Sequence, residues 1–191
     1  MGQYYRAFNL TKKKIISSHD TKMPDDEWGS GSKLMEHSYK GNPFVGAVCE
    51  LLKSDWRGDR IAWIGDYHES GEVGDIPTWE EADAQDYEEV IVPGAINVNG
   101  FLNNQSKNIS IDMSKLTFAE EDGWELHPLS LLTACGNGRG GGDYRRDDRM
   151  RDEIIGTWAG DEFSFTDEPE FPCVPFDEDL NNNALKFIKS E

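Results

Sequence analysis

The sequence predicts an α+β fold, built as a pseudo-symmetric internal duplication of a β-hairpin and strand unit with few, short helices. Three observations carry this. Two hairpin patterns, each a pair of short apolar runs around a polar turn, lie about half the 191-residue chain apart. Only one stretch has an extended helical stripe. Several residue pairs also recur at one offset: Gly41-Asn42 and Gly136-Asn137, Trp63 and Trp158, and Gly65-Asp66 and Gly160-Asp161 are each 95 positions apart. His37 and His127 are 90 apart, which asks for an insertion of five residues before Gly136. Residues 1–92 and 93–191 are then the two halves of one compact domain.

The first half opens with Tyr4 to Phe8, a polar turn from Asn9 to Lys13, and Ile15 to Ser18. Residues 19–33 carry Pro24, acids and a Gly-Ser run and read as a loop. Asn42 before Pro43 is a helix start, because Asn caps free N–H groups and Pro suits the first helical position. Phe44, Val45, Val48, Leu51 and Leu52 then form one stripe of a helix to about Lys53. Trp56-Arg57-Gly58 ends it, and Arg60 to Ile64 reads as a buried strand. Thr78 and Glu81 have capping-box spacing, predicting a short acidic helix to about Glu89. In the second half, Gly100 to Leu102 and Ile109 to Met113 bracket another hairpin turn. Ile154 to Trp158 is a strand candidate, Phe163 to Phe165 alternates as a strand does, and Asn183 to Lys189 suggests a last short helix.

Composition limits function. An apolar content of 37% with six Trp supports a globular core, and 37 acidic against 19 basic residues give a formal charge of −18. Such a charge repels nucleic acid and favours a basic protein partner, although a solvated acidic exterior would look the same. Three widely spaced cysteines form neither a disulfide framework nor a zinc motif. No secretory signal pattern and no membrane-length apolar run is present, so the expectation is a cytoplasmic protein without membrane attachment, metal or cofactor.

Chemistry concentrates at Gly136-Asn137-Gly138-Arg139-Gly140-Gly141-Gly142, where five of seven residues are glycine. Clustered backbone N–H groups in such a loop, like those at the helix start at Asn42, form an anion-binding nest, and Arg139 adds a guanidinium fork. The loop lacks the flanking strand and helix of a dinucleotide fingerprint and the Gly-Lys-Ser/Thr of a Walker loop. The candidate ligand site is therefore Gly136, Asn137, Gly138, Arg139, Gly140, Gly141 and Asn42, for an anionic small molecule. His37, His127, Asp66 and Asp161 are the candidate catalytic groups should the halves bring them together; otherwise each histidine satisfies a backbone partner. His68 next to Tyr67 could join them, and Cys135 abuts the loop.

The phrases Gly2-Gln3-Tyr4-Tyr5, Leu34-Met35-Glu36-His37-Ser38 with Gly41-Asn42-Pro43, and His127-Pro128-Leu129 with Gly136-Asn137-Gly138-Arg139-Gly140-Gly141-Gly142-Asp143-Tyr144 are similar to a family of uncharacterised proteins from bacteria and their phages. That resemblance brings no activity, fold or cofactor; it implies a phage or mobile-element setting, where small acidic proteins inhibit host machinery. The leading expectation is an acidic regulator or inhibitor that binds a basic, nucleic-acid-binding protein surface. The alternatives are binding or hydrolysis of a phosphorylated small molecule or nucleotide at the glycine loop, and a structural part of a larger assembly.

Overall fold

Both hairpins are folded by the same local device. In the first, β1 (Tyr5–Asn9) pairs antiparallel with β2 (Lys14–Ser17); Asn9 Oδ1 accepts the Lys12 N–H at 2.8 Å and Lys13 takes the left-handed conformation at φ 53°. A short parallel pair joins β3 (Thr21–Lys22) to a later strand. The chain continues through α1 (Leu34–His37), α2 (Pro43–Lys53), β4 (Asp59–Gly65), α3 (Trp79–Ala84), β5 (Glu88–Glu89) and β6 (Val92–Pro93), the partner of β3. The second hairpin, β7 (Phe101–Asn104) and β8 (Ile109–Asp112), repeats the device: Asn104 Oδ1 accepts the Lys107 N–H at 2.9 Å and Asn108 has φ 56°. Then come α4 (Pro128–Leu132), β9 (Ala134–Cys135) and β10 (Glu162–Thr166). The computed structural model describes residues 1–22, 31–96, 98–116, 126–144 and 154–176. The acidic stretch Glu120 to Asp122, the arginine run after Tyr144 and the helix expected over Asn183 to Lys189 lie outside them.

The eight-stranded sheet runs β5-β2-β1-β4-β10-β7-β8, with β9 also paired to β4. Its centre reads alike from either side, β2-β1-β4 against β8-β7-β10, and the contacts agree atom for atom. Asn9 Nδ2 donates to Asp59 at 2.7 Å, as Asn104 Nδ2 does to Asp161 at 2.7 Å. Lys12 and Lys107 pair with those same two carboxylates. The Arg60 N–H donates to the Thr11 hydroxyl and the Glu162 N–H to the Ser106 hydroxyl, both at 2.9 Å. Gly58 and Gly160, at φ 79° and 81°, each donate across to the opposite strand, to Phe163 and Ile61. The halves therefore meet about a local pseudo-twofold axis between β4 and β10.

This geometry corrects the spacing read from the sequence. The offset of 95 holds for the hairpins, but the later partners are Trp56 with Trp158, Gly58 with Gly160 and Asp59 with Asp161, 102 apart. Trp63 and Gly65 lie within β4, whereas Trp158 and Gly160 precede β10, so those pairs are not equivalent. Gly41-Asn42 opens an eleven-residue helix and Gly136-Asn137 follows β9, so they are not equivalent either. Residues Ile154 to Trp158 form successive turns rather than a strand, and the Gly156 N–H bonds the Leu131 carbonyl. The acidic helix stops at Ala84 because Asp86 is left-handed at φ 60° and Glu88–Glu89 turn into the sheet edge.

Alternation along the strands builds two faces. On the front, Ala7, Ile16, Ile61 and Trp63 from the first half and Leu102, Ile111, Phe163 and Phe165 from the second join one apolar core with α2. The helix is as the sequence predicts: Asn42 accepts the Phe44 N–H at 2.9 Å, Pro43 follows, and Gly46 lets the Ala95 backbone pass against it. The back face differs between halves. In the first it is Phe8, Ile15, Ala62 and Ile64, roofed by Ile76, Ala82 and the half-buried Trp79. In the second the equivalent positions are Asn103, Ser110, Ser164 and Thr166, hydrogen-bonded to one another and, through Ser164, to Glu170. No helix among the described residues is long and apolar enough to cross a membrane.

Candidate functional site

The glycine loop follows β9, whose pairing with β4 delivers Gly136 to the end of the sheet beside the chain's first residues. Gly136 takes φ 82°, and a Cβ there would stand 2.9 Å from both Gln3 Nε2 and the His68 nitrogen. The loop is a nest, as its composition suggests. Its N–H groups at Gly138, Arg139 and Gly140 converge at 2.9 Å each on one oxygen, Asp143 Oδ2. The anion in the nest is thus part of the chain, and those three amides are already engaged. Asn137 holds the loop's other end by bonding both the N–H and the carbonyl of Tyr144. Gly141 pairs with the Met1 carbonyl and the Gln3 N–H, and the Gly142 carbonyl accepts from Met35. Gly140 has no room for a Cβ against the Gln3 backbone. Close passage of Gln3, His68 and Lys33 leaves no room for a side chain at Gly136, Gly140 and Gly142, while Gly138, with open space around it, takes a left-handed φ of 91°.

Arg139 is likewise engaged: Nη1 donates to the Tyr67 carbonyl at 2.7 Å, and the guanidinium pairs with Glu72 at 3.1 Å and Glu69 at 3.4 Å. Glu72 also meets buried His68 at 3.2 Å, so the loop is latched to the segment after β4. Binding an external phosphate here would require replacing Asp143 on three N–H groups and the two glutamates on Arg139.

The four candidate catalytic residues are not brought to one place. Asp66 lies beyond the end of β4, exchanging hydrogen bonds with the Tyr4 backbone. Asp161 lies at the other end of that strand, where its carbonyl accepts from Ile61. The two histidine segments are adjacent: Tyr39 bridges Leu126, and the His127 N–H donates to the Ser38 carbonyl. Their rings serve separate structural partners. His37, wholly buried, accepts the Trp63 indole N–H at 2.7 Å and packs edge-on to Phe44, so its proton resides on Nδ1. Burial pushes its pKa down to about 3, against weaker pulls from the Gly31 backbone and Glu36. His127 caps α4, Nδ1 accepting from Leu129 at 3.1 Å, and Nε2 faces Cys49 Sγ at 3.5 Å. Burial, then Lys40, lowers its pKa to about 3.

A Cys–His contact invites a nucleophile reading, but burial raises the Cys49 thiol while lowering the imidazole. The proton stays on sulfur and the pair is neutral. Burial also pushes Cys135 up to about 12, so the glycine loop does not activate it. Among the described residues, no group of three or more His, Cys, Asp and Glu is arranged to hold a metal ion.

Sequence reasoning missed Asp143 as the nest's anion; its position three residues after Gly140 is the signal that could have found it. It also missed Gln3 and Tyr5, whose buried polar atoms lie against this loop. Comparison with known proteins adds no relative: no family model, curated protein or solved structure matches the chain.

The feature that distinguishes one half from the other is the arm from Glu69 to Glu89. It carries nine carboxylates and no Lys or Arg. Its inner side is apolar, with Trp79 donating to the Ile64 carbonyl at 2.9 Å and Arg6 stacked 4.0 Å over the Trp79 ring. Arg60 holds Asp75 in a two-bonded fork, and Arg6 and Lys14 reach Glu89 and Glu88. Glu80, Asp83 and Asp86 remain exposed, with no basic partner among the described residues.

Proposed function

We propose that this protein is a non-enzymatic, acidic interaction protein, a regulator or inhibitor whose arm over residues 69–89 binds a basic protein surface that otherwise holds nucleic acid. The supporting observation is the arm itself: acids outside, apolar residues inside, mounted on a sheet face that is apolar only in the half that carries it. A rigid mount presents carboxylates at fixed spacing, as a phosphate backbone does, and makes the interface electrostatic. The cytoplasm, and a phage setting in which host machinery is the target, fit this reading. Binding and hydrolysis of a phosphorylated ligand is less well supported, because the loop's amides and Arg139 already have internal partners.

The test is affinity capture from extracts of the producing cells with the wild type and with a Glu80→Gln, Asp83→Asn, Asp86→Asn variant, over a salt series. These side chains point to solvent, and Asn tolerates the left-handed position 86, so folding is retained. The expected outcome is a partner displaced by duplex DNA and by salt, bound about tenfold more weakly by the variant. A partner held equally by both proteins, or indifferent to salt, overturns the proposal.

A further inference from the structure

Among the described residues, four of the seven buried side-chain polar atoms without a hydrogen-bond partner belong to three residues at the glycine loop: Gln3 Nε2 and Oε1, Tyr5 Oη and Asp143 Oδ1. Native structures leave few such atoms, and clustering them calls for a common explanation. The three residues are 0%, 1% and 3% exposed. Gln3 Nε2 and the Tyr5 ring both crowd the point where a Gly65 Cβ would stand, and the stem of Gln3 lies against Gly140, one of the amides that hold Asp143. Burial raises the Tyr5 phenol and Asp143 raises it further, so the hydroxyl remains neutral beside the carboxylate.

Charge is unbalanced here. Asp143 is buried, and its Oδ2 is stabilised by three amides, yet no cationic side chain among the described residues meets its second oxygen. Among the described residues, Arg139 of the loop pairs with Glu69 and Glu72, and Lys33, packed against Gly142, pairs with Glu36. An uncompensated buried carboxylate is unfavourable unless something positive or strongly donating joins it.

We propose that Asp143 Oδ1, Gln3 Oε1 and Tyr5 Oη form a binding site for one small monovalent cation, of the alkali or ammonium class. The ligands are oxygen atoms, which suit hard cations, and no His or thiolate joins them, which disfavours a transition metal. One carboxylate is too little charge for calcium, and magnesium would demand an octahedral shell. The ion would tie the first residues of the chain to the loop that closes over them, and the strongly acidic protein raises the local concentration of cations.

Thermal unfolding in potassium, sodium, ammonium and tetramethylammonium chloride at equal concentration tests this. Tetramethylammonium is too large for the site and supplies the same ionic strength. The expected result is a Tm higher by about 3 °C or more in at least one small cation at roughly tenfold excess over its Kd. Asp143→Asn preserves an oxygen for the three amides and places an NH₂ where the ion would stand; that variant loses the cation dependence while remaining folded. Tyr5→Phe weakens the dependence without touching the nest. Equal Tm in all four salts overturns the proposal and leaves bridging water as the explanation, and a cation effect that persists in Asp143→Asn places the ion on the acidic surface instead, overturning it equally.

Discussion

The two halves of the sheet share a front face and differ behind. Positions related by the pseudo-twofold axis are Phe8 and Asn103, Ile15 and Ser110, Ala62 and Ser164, and Ile64 and Thr166. The first of each pair is apolar and roofed by the acidic arm; the second is polar and closed by Glu170, which Arg57 also contacts. The same backbone therefore accepts two covers. An apolar back face needs a separate element to exclude water from it, and here that element brings nine carboxylates. A polar back face satisfies itself through a short network and needs only the 167–171 segment. The symmetry and the asymmetry of the fold reside on opposite faces of one sheet.

The largest effect comes from writing the second half's residue into the first. Phe8→Asn removes a fully buried ring and inserts an amide under Trp79 and Tyr87, where no counterpart of Ser164 awaits it. The expected loss is about 5 kcal/mol, seen in urea unfolding, with cleavage inside residues 69–89 by a protease before global unfolding. Intact protection of the arm would show that its ion pairs, not its apolar underside, hold it.

Acid titration sets the halves against each other through their histidines. Both His37 and His127 have folded pKa values lowered to about 3 from an ordinary 6.5. Protonation therefore favours the unfolded chain, so stability is complete above pH 6.5 and declines as the pH falls from 6.5 toward 3. Each histidine removes about 3 kcal/mol at pH 4. In His37→Gln, which keeps an acceptor for the Trp63 indole, the slope of stability against pH over this range falls by about half. An unchanged slope would place the proton uptake in other groups.

The smallest effect compares matched hydrogen bonds. Asn9→Ala and Asn104→Ala delete the same pair of contacts, the turn N–H and the aspartate. Asp59 is more deeply buried than Asp161, so the first substitution is expected to cost about 2 kcal/mol and the second about 1 kcal/mol in chemical denaturation. The reverse order would mean that the second half, not the first, anchors the sheet.

Much of this was legible because its causes are local. Asn42-Pro43 and the Phe44–Leu52 stripe specify α2, Asn9 to Lys13 and Asn104 to Asn108 specify turns, and alternating Phe163 to Phe165 specifies β10. The register in which the two halves resemble one another was not legible. The first half contains Trp-x-Gly-Asp twice, at Trp56 to Asp59 and at Trp63 to Asp66, and the wrong copy matches the offset of the Gly-Asn pairs. The cross-strand bonds of Gly58 and Gly160 and the matched Asn9–Asp59 and Asn104–Asp161 contacts distinguish them. The acidic helix was legible at its capped start but not at its end, since Asp86 is turned by the pairing of β5 to β2.

By itself the sequence determined what depends on neighbours along the chain: the α+β class, the helix and its cap, both hairpins, the excess of acid and the existence of a nest. Tertiary structure alone decided what fills the nest, where the four candidate catalytic residues stand, and which back face the acidic arm covers. The reason is that hydrogen-bond partners and burial are set by residues far apart in sequence. Asp143 becomes a buried ligand only when Met1 to Gln3 close over the loop, and His37 loses its basicity only when Trp63 and Phe44 exclude water from it.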